Sequence, residues 1–174
     1  HNNLSVITFF NGEYLSSINT PWYYRIIWFY ITTPVIVCIL FTIGLFYVIT
    51  NFVKKIVNLD EKKTRIWTND TEFYDFYLFL VLISICFLTI KFNISQFNGW
   101  RHLYFLYCAV IYFSVYGYNT IIKNKKNYFK YFINFIIFLN ISYNLTWIYK
   151  NHPYQNNYFN LVSVKYASSK FDLD

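Results

Sequence analysis

Charge of either sign is scarce in this chain. Asp, Glu, Lys and Arg make up only 13% of its 174 residues, about half the roughly 25% of a soluble domain, while hydrophobic residues make up 56%. That balance excludes a disordered chain and argues against a soluble globule. Acids are scarcest, at 8 against 15 basic residues, for a net charge of +7. Nucleic-acid binders gather Lys and Arg along one solvated face, whereas here long uncharged blocks hold them apart, so no nucleic-acid partner is expected. The three cysteines, Cys38, Cys86 and Cys108, lie inside those blocks, which gives neither a disulfide framework nor metal-ligand spacing. There is no Gly-rich phosphate loop, CxxC pair, HExxH motif or nucleophile elbow. No metal or cofactor is expected, and no catalytic residue is located. Met is absent altogether, so the chain is expected to be a piece of a longer protein.

What remains is apolar and aromatic. Phe, Tyr, Ile, Asn and Lys fill over half the positions, a skew that reflects base composition as readily as selection, so placement has to carry the argument. A hydrocarbon core about 30 Å thick takes roughly 20 apolar helical residues to cross. No charge falls between Arg25 and Lys54, between Asp75 and Lys91, between His102 and Lys123, or between Lys130 and Lys150. These runs lack the alternating polar positions of barrel strands. The fold expected is all-α: a polytopic transmembrane bundle in a single membrane domain, with helices over about 26–53, 76–92, 103–122 and 131–149. The second run is the shortest, and Lys91 must reach toward the headgroups to complete it.

Lys and Arg counts orient such a bundle, because cytoplasmic loops hold the excess. The loops 54–75 and 123–130 carry nine, and the segments 1–25, 93–102 and 150–174, together with Lys91 just before the second of them, carry six. Both ends of the chain are therefore expected on the extracytoplasmic side. Trp22, Tyr23, Trp100, Tyr104, Trp147 and Tyr149 fall at the expected outer boundary, where amphipathic rings bridge headgroup and tail.

Three polar stretches are thus expected on one side: NGEYLSSINTPWYYR at 11–25, NISQFNGWRH at 93–102 and HPYQNNYFN at 152–160. Arg101 offers a guanidinium that grips phosphate oxygens bidentately, or else anchors the third helix. His102 is a proton donor or second phosphate contact, or an ordinary interfacial residue. His152 precedes Pro153, a pairing that suggests a shaped loop. An acid–base carboxylate on this side would have to be Glu13, Asp172 or Asp174. Asn140 and Asn144 share a helix face and are expected to bind a neighbouring helix rather than line a pathway. Pro34 and Gly44 permit a bend or a close approach.

Four segments carry a resemblance: TPWYYRIIWFYITTP at 20–34, FNGWRHLYFLY at 97–107, HPYQNNYFN at 152–160 and the closing SKFDLD. In order and spacing the chain resembles the C-terminal membrane half of bacterial glycosyltransferase family 39, within the GT-C superfamily and related to the dolichyl-phosphate-mannose protein mannosyltransferases. It differs at Ile26 and Cys108, where similar proteins commonly carry Pro, and similar tails run on beyond the position of Asp174. The resemblance implies a multi-pass enzyme of the bacterial plasma membrane that moves a sugar from a polyprenyl-phosphate carrier to an extracytoplasmic lipid, glycan or protein acceptor. Its catalytic carboxylate would lie upstream of this chain. It further implies that Arg101 and His102, beside Trp100, contact the donor phosphate, and that His152, Tyr154 and Asn160 border the substrate site. The competing reading is a non-enzymatic membrane protein, either a transporter piece or a structural subunit. Ionisable groups that stay at helix ends count against transport.

Overall fold

The computed structural model describes residues 6–57, 69–92, 94, 99, 101–123, 125–154 and 158–171. In chain order these form strands β1 (Ile7–Phe10) and β2 (Glu13–Ser16), helices α1 (Tyr24–Thr32), α2 (Val35–Val57) and α3 (Asp70–Lys91), a 3-10 helix (Arg101–Leu106), and helices α4 (Tyr107–Ile122), α5 (Asn127–Lys150) and α6 (Val164–Lys170). Val35–Val57, Asp70–Lys91, His102–Ile122 and Asn127–Lys150 are each long and apolar enough to cross a membrane. The architecture is therefore the polytopic helix bundle that the uncharged runs predict. α3 reaches spanning length, about 33 Å for 22 residues at 1.5 Å each, by starting before Asp75. Asp70 and Glu72 occupy its first turn, where the helix dipole favours acids.

Other boundaries also differ from expectation. The first run is broken rather than continuous: Thr33 is extended (φ −94°, ψ 141°) because Pro34 disfavours a helical neighbour and offers no N–H. The first crossing thus begins at Val35 and continues through Lys54 and Lys55, cations suited to a helix C-terminus. The third crossing opens with the 3-10 turn, and the fourth starts at Asn127, taking Lys130 into the helix.

The small sheet adds to the all-α expectation. β1 and β2 pair antiparallel, with Phe10 opposite Glu13, around Asn11 (φ 55°) and Gly12 (φ 89°). Two positive φ values make this the two-residue hairpin turn that Asn-Gly favours.

α2 and α4 are the most closely packed pair. Gly44 lies against the Phe113 carbonyl and Gly117 against the Leu40 carbonyl, and a Cβ on Gly44 would sit 2.9 Å from the Gly117 nitrogen. The close approach that Gly44 permits is therefore realised, and the bend falls at Pro34 instead. Ser114 Oγ donates across the seam to the Val37 carbonyl at 3.3 Å. Phe41, Val48, Leu82, Val110 and Phe113 complete this core, with α3 contributing Leu82.

α5 has no buried residue. Tyr118 on α4 donates to Asn134 Oδ1 (2.6 Å), and Tyr158 in the tail donates to Asn144 Oδ1 (2.8 Å). Asn144 in turn donates to Asn140 Oδ1 at 3.0 Å. Among the described residues the partner of the Asn140–Asn144 pair is thus a tail tyrosine rather than the neighbouring helix expected. Phe132, Phe135, Phe138 and Leu145 remain exposed on α5, suited to lipid.

Candidate functional site

The hairpin, α1, the 3-10 helix and the tail form a cap at one end of the bundle. Their shared core is Phe10, Tyr24, Trp28, Ile31, Leu103, Leu106, Phe159, Ala167 and Phe171, all buried. Trp28 is its centre: it stacks with Phe159 (6.1 Å between ring centroids) and meets Phe171 edge-on (5.4 Å). Gly99 is buried and has φ +70°, and a Cβ there would come within 3.0 Å of the Trp28 ring. Only glycine takes that backbone conformation at so close an approach. Phe10 bridges to Phe171, and the Gly12 N–H donates to the Lys170 carbonyl at 3.0 Å, so the tail closes onto the hairpin.

Asn160 supplies the polar counterpart. The α1 break at Pro34 leaves helix-end carbonyls without intrahelical donors, a serious cost wherever water is excluded. Asn160 Nδ2 donates to the carbonyls of Tyr30 (2.6 Å) and Thr33 (2.9 Å), and its backbone N–H donates to Ile31 (2.9 Å). Oδ1 accepts from the N–H groups of Val162 (3.2 Å) and Ser163 (3.0 Å). Two donors and two acceptor positions exhaust a carboxamide. Asn160, an expected substrate contact, is fully engaged as a clamp between the tail and α1, and Ser163 Oγ adds a bond to Ile31 (2.9 Å).

Arg101 and His102 open the 3-10 helix, held in place by Leu103 and Leu106 in the cap core. His102 is exposed. The Arg101 side chain and Trp100 lie outside the described residues. His152 and Tyr154 are exposed on a turn after α5, closed by the Tyr154 N–H on the Asn151 carbonyl at 2.6 Å. Glu13 is exposed on β2 beside the hairpin turn, and Asp172 and Asp174 lie outside the described residues. Among the described residues no group of three His, Cys, Asp or Glu could hold a metal.

Sequence reasoning counted Arg25 only toward topology. The structure gives it a specific partner: Nη2 donates to the Thr89 carbonyl at 3.2 Å, a cation on the C-terminal turn of α3. Burial lowers the Arg25 pKa from its ordinary value. A single arginine among the apolar residues that open α1 was the available signal, since such groups rarely go unpaired near a membrane.

Tyr158 links cap and bundle. Chiefly through burial, with Tyr143, Cys38 and Tyr107 adding to it, its phenol is pushed up to about 12. The unfolded value is about 10, so the stabilisation is complete below that pH and is lost as pH rises toward 12. Absorbance titration at the phenolate band should show one phenol ionising near pH 12 in the parent and missing from Tyr158→Phe. Titration of that phenol at about 10, the ordinary value, would remove the link. No family model matches the chain, and no curated protein or solved structure matches it.

Proposed function

We propose that the chain is the C-terminal membrane part of a glycosyltransferase that takes a sugar from a polyprenyl-phosphate carrier. One observation carries the reading. The four segments on which the resemblance rests, spread from residue 20 to the chain end, contribute Trp28, Leu103 and Leu106, Phe159 and Phe171 to a single core. Segments fixed together in this way support a shared surface, and in this reading Arg101 and His102 belong to it.

In this reading the cap faces the extracytoplasmic side, as the Lys and Arg count favours, and α2 to α5 seat the carrier's lipid chain. Arg101 binds the donor phosphate and His102 assists or donates a proton. The carboxylate that activates the acceptor comes from upstream. Asn160 and Trp28 are positioning residues, which hold the tail and the 3-10 helix in register.

The test is Arg101→Ala in the complete protein, with transfer from a radiolabelled lipid-linked sugar as readout. A hundredfold or greater loss of transfer is expected, on the order of removing one charge-stabilising donor, with membrane insertion unchanged. Turnover at the parental rate would return Arg101 to the role of helix anchor.

A further inference from the structure

At the end of the bundle opposite the cap, a cavity of about 330 Å³ opens between α2, α3 and α4, within the range of about 300 to 1,000 Å³ typical of small-molecule sites. Phe52, Phe76 and Phe79 form its apolar wall. Phe52 and Phe76 stack on each other at 4.5 Å, so each turns a face to its neighbour rather than to the space.

The polar wall is divided by charge. Lys55 and Glu72 pair with each other. Lys54 and Asp75 also line the cavity, and among the described residues neither forms an ion pair. Asp75 Oδ1 accepts the Tyr112 hydroxyl at 2.6 Å, which fixes the carboxylate and leaves its other oxygen available. Asn51 Nδ2 donates to the Tyr116 hydroxyl at 3.2 Å, which leaves Asn51 Oδ1 to accept and the Tyr116 O–H to donate. The space is thus lined by a carboxylate, an ammonium, and an amide acceptor bonded to a phenol donor.

We infer that this cavity binds a zwitterion bearing a primary ammonium and a phosphate, supplied as the headgroup of phosphatidylethanolamine. The ammonium meets Asp75 and Asn51, and the phosphate meets Lys54 and Tyr116. Lipid is the source assigned because Lys54 lies in the last turn of the first crossing and Asp75 near the start of the second, at the level where headgroups sit. The phenylalanine wall then meets the glycerol and upper chains. A trimethylated ammonium has no N–H to donate, so phosphatidylcholine is the discriminating ligand. The inference stands apart from sugar transfer and survives if that reading fails.

The experiment incubates the purified chain with mixed vesicles of phosphatidylethanolamine and phosphatidylcholine with matched acyl chains, and reads retained lipid by native mass spectrometry. A preference of at least about tenfold for the ethanolamine lipid is expected, the worth of a charge-assisted hydrogen bond. Asp75→Asn, nearly isosteric and still able to accept from Tyr112, should abolish the preference. Lys54→Gln, at an exposed position, should weaken both lipids alike. Equal retention of the two lipids, or an intact preference in Asp75→Asn, overturns the assignment. Soluble O-phosphoethanolamine supplies the remaining arm: tighter binding of it than of the lipid overturns the lipid source.

Discussion

Asn160→Asp is expected to lower the unfolding free energy by about 3 to 5 kcal/mol, because it strips the amide donors from two helix-end carbonyls at once and leaves them to share the weak donor of the Cys38 thiol. Each buried polar group left without a partner costs about 1 to 3 kcal/mol, and the substitution also turns a carboxylate oxygen toward the carbonyls of Tyr30 and Thr33, now bonded at 2.6 and 2.9 Å. The residue is 3% exposed, so water has little access to repair the loss. Thermal melting in detergent, with proteolysis of the 158–171 segment as a local readout, measures the effect. A parental melting temperature together with a protected tail would show that the clamp contributes nothing. Ser163→Ala removes one further bond to the same helix end and is the milder companion.

Gly44→Ala should destabilise by about 1 to 3 kcal/mol, the usual cost of overpacking, and Gly44→Leu by more. The sign is the informative part. In an open helix the same change to alanine stabilises by about 1 kcal/mol. Here the added methyl meets the Phe113 carbonyl and the Gly117 nitrogen, which are backbone atoms of a packed helix and cannot swing aside. Small residues at such a seam let dispersion and close backbone contact hold helices where lipid supplies no hydrophobic driving force. Unfolding by titration with sodium dodecyl sulfate reports the midpoint, and an unchanged or raised midpoint would mean that α2 and α4 do not meet through their glycines.

The crossings were legible because excluding charge from some twenty consecutive residues is a coarse, cumulative signal. Their ends were less so. Pro34 falls inside an uncharged run, and charge spacing alone does not register a missing N–H. Asp70 and Glu72 read as loop until the helix dipole is considered. The hairpin has a strong local signal in Asn11-Gly12 between ITFF and EYLS, but it lies outside the uncharged runs that mark the crossings. The convergence of the outer stretches followed from alternating crossings alone. The role of Asn160 did not, because its partners lie about 130 positions away, and no local pattern encodes a bond of that range. Arg25 carried a local signal, but its partner on α3 was hidden for the same reason.

The closure of the tail on the hairpin fixes the arithmetic of the membrane path. Phe10 bridges Phe171 and Gly12 bonds Lys170, so in a bundle that crosses the bilayer the chain would return to the leaflet it left, which requires an even number of traversals. A path in which the short Asp75-to-Lys91 run stays on the surface while the other three helices cross would have odd parity and leave the two partners a bilayer apart. The shortest uncharged run of the four is thereby tied to a pair of contacts far from it, and the lysine and arginine count bears on the choice of leaflet.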